Sequence, residues 1–150
     1  MKADTSTKNS VLVERLFDAP VEILWQIWTE PEYILQWFGS DPNGTVSIAS
    51  IDLRVGGKYE IRFSDSNGSE HTAFGEFLVV DPGSRLQYSW EWLSEPGQIS
   101  EVQVEFIPVA EQTKLILVHK NLHPDSRHGY LQGWNGALDK IEKLKVLAKK

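Results

Sequence analysis

Cysteine is absent from all 150 residues. That removes disulfide frameworks, thiolate metal sites and cysteine nucleophiles together. Long apolar runs are missing too. The longest aliphatic stretches, residues 78–80 and 115–118, fall far short of the roughly 20 residues a membrane-spanning helix needs. The opening MKADTSTKNS has no apolar segment of the kind a secretory signal requires. A cytoplasmic location without membrane insertion is the resulting expectation. Positive charge is in short supply: 15 Lys and Arg stand against 21 Asp and Glu, a net charge of −6. This argues against a nucleic-acid partner, whose backbone demands a basic surface. Histidines number only four, none of them in an HExxH arrangement or beside a carboxylate cluster, so no metal is expected. There is no GxSxG and no phosphate loop. No catalytic residue and no cofactor follow from motifs.

Aromatic rings are what the chain has in quantity, with six Trp, six Phe and four Tyr. With 41% hydrophobic residues in 17.0 kDa, the composition fits one domain over residues 1–150, its ordered core at about 11–147. Residues 11–17 read as a strand. Asp18-Ala19-Pro20-Val21-Glu22 opens a helix with the stripe Val21, Leu24, Trp25 and Trp28. Thr29 and Glu32 have capping-box spacing, and Pro31 restarts a second short helix presenting Ile34, Trp37 and Phe38 before Gly39 stops it. Six strands follow at 45–55, 58–64, 71–80, 85–93, 100–107 and 113–122. They are separated by Gly56-Gly57, Asn67-Gly68, Asp81-Pro82-Gly83 and Glu95-Pro96-Gly97. Short connections make this an antiparallel meander with the first strand added at an edge.

The last stretch, 124–150, reads as one long helix. Pro124 and Asp125 suit its start, and Lys140, Lys143, Lys145, Lys149 and Lys150 gather at its far end. Leu131, Trp134, Leu138, Ile141 and Leu144 form its apolar stripe. Gly129, Gly133 and Gly136 interrupt it, each at a cost of about 1 kcal/mol relative to alanine. Three such glycines imply that this half of the helix either roofs a cavity or lets another backbone approach. The strand alternation turns Tyr59, Ile61, Phe63, then Leu86, Tyr88, Trp90, Trp92, then Val102, Val104, Phe106 to one side. In the last strand Leu115, Leu117 and His119 are chosen over Ile116 and Val118. A concave surface of rings with a few polar atoms is the usual make-up of a small-molecule pocket.

Several of these segments agree, in order, with a known family. Asp18-Ala19-Pro20-Val21-Glu22-Ile23-Leu24-Trp25, Thr29-Glu30-Pro31 with Trp37, and the hairpin Asp52-Leu53-Arg54-Val55-Gly56-Gly57-Lys58-Tyr59 resemble the C-terminal domain of the Hsp90 ATPase activator. So do Gly75 followed by Asp81-Pro82, and Gly133-Trp134 with Leu138. Such proteins belong to the START-like, polyketide cyclase-like helix-grip superfamily, and the resemblance spans about residues 11–147. It implies an α+β fold, a seven-stranded curved antiparallel sheet wrapped around a long C-terminal helix, with two short helices between strands 1 and 2. It also implies a deep cavity between these parts.

The expected ligand-binding residues are Trp37, Phe38, Tyr59, Phe63, Tyr88, Trp90, Trp92, His119, Gly133 and Trp134. His119 is read as a hydrogen-bonded wall residue in preference to a proton carrier. Arg54 is read as a structural partner of Asp52 or of a helix carboxylate, and His123 and His128 as solvated. Binding or sequestering a small, mostly apolar molecule, lipid-like or aromatic, is the expected role. A cyclase- or hydrolase-like enzyme using the same cavity, and a co-chaperone module with a chaperone partner, are the alternatives. No oligomeric state follows from the sequence.

Overall fold

Alternation of buried and more exposed side chains builds the middle of the sheet. The computed structural model describes residues 9–144, and within them the strands are β1 (Val11–Phe17), β2 (Thr45–Ile51), β3 (Lys58–Ser64), β4 (Glu70–Asp81), β5 (Arg85–Trp92), β6 (Ser100–Val109) and β7 (Gln112–Lys120). Tyr59, Ile61 and Phe63 of β3, Leu86, Tyr88 and Trp90 of β5, and Val102, Val104 and Phe106 of β6 are all buried. Leu115, Leu117 and His119 of β7 are buried as well, each at 0% exposure, which settles the ambiguous strand in the chosen register. All pairings are antiparallel and the order is β1-β7-β6-β5-β4-β3-β2. The six-strand meander and the edge placement of β1 therefore stand as expected.

Two short helices, α1 (Val21–Thr29) and α2 (Pro31–Trp37), fill the β1–β2 connection. Pro20 is extended just ahead of α1, and its carbonyl accepts the N–H groups of Ile23 and Leu24 at 3.1 and 3.3 Å. The expected stripe gains Ile27, fully buried with Leu24 and Trp28, whereas Val21 and Trp25 are only half-buried. No capping box forms. Thr29 Oγ1 donates to the Trp25 carbonyl four residues back at 2.7 Å, a competing local bond open to threonine at a helix end. Glu30 then takes the extended position before Pro31. Gly39 ends α2 with φ +97°, a left-handed conformation that side chains resist.

The third helix, α3 (Arg127–Glu142), follows a 3-10 turn at Pro124–Ser126. It thus begins three residues later than expected, and the part of the expected helix bearing Lys145, Lys149 and Lys150 lies outside the described residues. Its inner stripe is Trp134, Ala137, Leu138 and Ile141, with Tyr130 packed against the same core. Leu131, placed on that stripe from its spacing, is 37% exposed. The helix axis rotates the stripe onto Tyr130, four residues before Trp134, instead.

Polar ties fix α3 at both flanks. Arg15 of β1 donates to Asp139 Oδ1 at 2.7 Å and to Asn135 Oδ1 at 2.9 Å. On the other side Lys140 Nζ donates to the carbonyls of Phe38 and Asp41 at 3.3 and 3.0 Å. Lys140 therefore anchors the 38–44 connection instead of simply complementing the helix dipole. Asp41 in turn accepts from the Ser66 and Asn43 backbone N–H groups and the Ser66 hydroxyl, which hold its carboxyl below the ordinary carboxylate range.

Strand β2 stops at Ile51, four residues short of the expected end. Residues 52–57 form a tight turn in which Arg54 pairs with Asp52 at 3.0 Å, the partner foreseen for it. Gly57 sits where a Cβ would strike the Asp52 carbonyl. No helix among the described residues is long and apolar enough to cross a membrane.

Candidate functional site

The inner face of the sheet meets two different neighbours. Toward α1, Trp28 donates its indole N–H to the Tyr88 hydroxyl at 3.2 Å, and Tyr59 donates its own hydroxyl to the Ser89 carbonyl at 2.6 Å. Trp37 donates to the Ile27 carbonyl at 2.9 Å. Trp28 and Trp37 lie 4.7 Å apart by ring centroids, and Tyr59 and Tyr88 5.3 Å apart. Only about 20 Å³ of space is left among these rings, about what one water would occupy. Burial drives both phenols well above the usual tyrosine range, so neither ionises. Tyr59 and Tyr88 thus sit in a filled end of the core.

Toward α3 the same face is hollow. A cavity of about 580 Å³ opens between β3, β5, the end of α2 and the first half of α3. Phe63, Trp90 and Trp92 supply the sheet side. Trp37 and Phe38 close one end, and Gly133 and Trp134 face them from the helix. Phe38 stacks on Trp90 at 5.7 Å, and Trp90 meets Trp134 at 5.6 Å and Trp92 at 5.2 Å. Seven of the ten expected residues are therefore brought together around one volume.

The glycines of α3 explain why the volume exists. Nothing lies within 4 Å of where a Cβ would stand on Gly129, and only the Ser40 Cβ, at 3.9 Å, approaches that of Gly133. Both residues border the cavity. Gly136 differs, because a Cβ there would come to 2.6 Å from the Ser40 carbonyl oxygen. It admits a close backbone approach by the loop that Lys140 anchors, and does not roof the cavity. Ala137 and the loop residues Gly39 and Ser40 complete that wall.

His119 lies behind the cavity wall, with 0% exposure. Its Nδ1 accepts from the Trp134 indole at 3.0 Å, and its Nε2 is 2.7 Å from the Ser100 hydroxyl. An indole N–H is only a donor, so Nδ1 carries no proton and Nε2 must. Burial pushes this imidazole down to about 3, which keeps it neutral. Held at both nitrogens, it positions Trp134 and is closed to proton transfer with the cavity. His123 and His128 are exposed, as expected.

The mouth is polar and was not foreseen. His71 Nε2 pairs with Asp65 Oδ2 at 2.9 Å, and the imidazole lies 5.3 Å from Phe63 and 6.1 Å from Trp92. Glu95 and Asp125 stand on the same rim. Tyr130 reaches inward, and its phenol oxygen accepts from the Trp92 indole at 2.7 Å. Burial raises the Tyr130 phenol, opposed by the indole N–H of Trp92, raised further by Glu95 and opposed again by Trp90.

Two counts along the chain would have found these groups. Tyr130 precedes Trp134 by one helical turn, and the hairpin around Asn67-Gly68 sets His71 opposite Phe63. Among the described residues no group of three or more His, Asp or Glu could hold a metal ion.

Comparison with known proteins agrees with this fold. No curated protein matches the chain significantly. Among solved structures, an AHSA1 protein from Silicibacter pomeroyi superposes with a TM-score of 0.82 at 22% identity, covering 94% of this chain and 99% of that one. A protein from Nitrosomonas europaea gives 0.81 at 24% identity over 95% and 97% of the two chains. CalU16 from Micromonospora echinospora gives 0.66 at 29% identity over 88% and 73%. The sequence profile of the "Activator of Hsp90 ATPase homolog 1-like protein" family matches residues 18–145, nearly the whole described chain. With its curved seven-stranded sheet gripping α3, the protein belongs to this AHSA1-type, helix-grip family.

Proposed function

We propose that the protein binds a small, mostly apolar molecule, lipid-like or aromatic, between α3 and the sheet, and holds or sequesters it without transforming it. The observation that carries this reading is the ring-lined volume of about 580 Å³. Pockets for small molecules typically enclose about 300–1,000 Å³ and combine apolar walls with a few polar groups. Trp37, Phe38, Phe63, Trp90, Trp92, Gly133 and Trp134 would contact the ligand. Tyr59, Tyr88 and His119 would support those walls from behind.

Six tryptophans make the test direct. A panel of naphthalenes, flavonoids and medium-chain fatty alcohols should contain members that quench tryptophan fluorescence and raise the melting temperature. A single-site ligand at 100 times its dissociation constant stabilises by about 2.7 kcal/mol. No quenching and no shift across the panel would refute the reading.

An enzymatic reading has one observation in its favour, the His71–Asp65 pair at the mouth. A carboxylate-oriented imidazole is a common general base, typically contributing about 100- to 10,000-fold. Turnover of an ester or cyclisable substrate that His71→Asn removes, with binding intact, would establish it. A chaperone partner is supported by the family description alone, and stimulation of an Hsp90 ATPase by the purified protein would reveal it.

A further inference from the structure

One polar point in the cavity wall has incomplete hydrogen bonding. The Trp92 indole donates to the Tyr130 phenol oxygen at 2.7 Å. Trp90, two residues away on the same face of β5, directs its indole close enough to polarise the same phenol. Yet its Nε1 makes no hydrogen bond to any described residue, although Trp90 is only 5% exposed. Indole nitrogens donate and never accept. The phenol oxygen therefore serves Trp92 as acceptor with the Trp90 indole beside it, and its own proton has to point elsewhere. Among the described residues no acceptor takes that proton. The Tyr130 O–H thus stands without an acceptor beside the rings of Phe38, Phe63, Trp90 and Trp134. A ligand that covers this half-buried hydroxyl has to supply the acceptor, because a donor enclosed without one is costly.

Charge decides which acceptor fits. The rim carries Asp65, Glu95 and Asp125, the lining includes no Lys or Arg, and His71 is already paired with Asp65. A carboxylate or phosphate would enter a negative field with no cation to meet it. A neutral oxygen enters without that penalty.

Building on the proposed small-molecule site, we propose that the molecule held there carries a neutral carbonyl oxygen. The oxygen accepts from the Tyr130 hydroxyl, while the apolar body lies against Phe38, Phe63 and Trp134. Ketones, lactones and quinones meet this description. Free fatty acids do not.

Three probes of one shape test it: 2-acetylnaphthalene, 2-isopropylnaphthalene and 2-naphthoate, titrated against the full chain by tryptophan fluorescence. The ketone should bind about ten-fold tighter than the hydrocarbon, the order expected for a satisfied donor in a dry site. The carboxylate should bind weakest. Tyr130→Phe should bring ketone and hydrocarbon within about two-fold of each other, the ketone losing the larger share of its affinity. The ketone's carbonyl stretch should also shift to lower frequency on wild-type protein and not on the variant. Equal affinities in the wild type, a preference surviving in Tyr130→Phe, or a tightest-binding carboxylate would each overturn the carbonyl inference alone. Failure of all three probes to bind would overturn both it and the cavity reading on which it rests.

Discussion

The two ends of the inner sheet face are made of the same material and behave differently. Tyr59 and Tyr88 at one end, Phe63 and Trp92 at the other, come from the same two strands a few residues apart. At the first end α1 lowers Trp28 onto Tyr88 and about 20 Å³ remains; at the second α3 offers Gly129 and Gly133, and about 580 Å³ remains. A ring-rich strand therefore does not make a pocket. The side chain opposite decides it, a tryptophan filling the space and a glycine leaving it.

Truncation should separate the two ends most sharply. Trp28→Ala removes a ring that is 4% exposed and orphans the Tyr88 hydroxyl, so it should cost about 3–5 kcal/mol in denaturant unfolding. Ligand affinity, measured where the variant is folded, should change little. Trp92→Ala, by contrast, removes a half-buried ring from the hollow end and should lower ligand affinity about ten-fold or more, with a stability loss below about 2 kcal/mol. Equal stability losses at the two sites would erase the distinction.

His119 ties the hollow end to the sheet, and its removal should be the next largest effect. His119→Ala leaves the Trp134 N–H and the Ser100 hydroxyl without their partner, at about 2–4 kcal/mol. The same group predicts a pH dependence. Its folded value of about 3 lies below the ordinary 6.5, so between these limits the unfolded chain binds a proton that the folded one refuses. Stability should accordingly fall as pH drops below about 6.5, by at most about 1.4 kcal/mol per pH unit from this group. His119→Gln should show a shallower decline between pH 6.5 and 4. A wild type and variant that stay parallel over that range would mean that His119 does not titrate as described.

Smaller effects of opposite sign should come from two glycines one turn apart. Gly136→Ala places a methyl against the Ser40 carbonyl and should destabilise by about 1–3 kcal/mol. Gly133→Ala meets only the Ser40 Cβ at 3.9 Å and should gain up to about 1 kcal/mol of helix propensity. Urea unfolding of both variants would decide, and destabilisation at Gly133 would make that position packed core.

Much of this was legible before any coordinates. The alternation in 58–64 marks β3 to the residue, and the turn signals place four of the five hairpins, because both depend on local backbone geometry. The β6–β7 turn at Ala110 carries no such signal. Thr29 shows the limit of local rules. Its spacing to Glu32 suits a capping box, yet its hydroxyl finds the Trp25 carbonyl first. Leu131 shows another. A stripe drawn from residue type alone prefers leucine to Tyr130, while the helix rotation set by Arg15, Asn135 and Asp139 turns Leu131 outward. The cavity was half legible. Rings and glycines were visible as types, but which ring faces a glycine and which faces Trp28 is fixed only by how α1 and α3 lie across the sheet. The rim pair His71–Asp65 needed the β3–β4 register.

A single substitution addresses the hollow end most directly. Gly133→Leu sends an isobutyl group toward the open volume from a position with no backbone in its way. Thermal unfolding of wild type and variant, each with and without an apolar aromatic ligand such as 2-acetylnaphthalene, reads stability and occupancy together. The expected result is a variant at least as stable as the wild type whose ligand-induced rise in melting temperature is lost. A ligand-induced rise as large in Gly133→Leu as in the wild type, or none in either protein, would contradict a small-molecule site between α3 and the sheet.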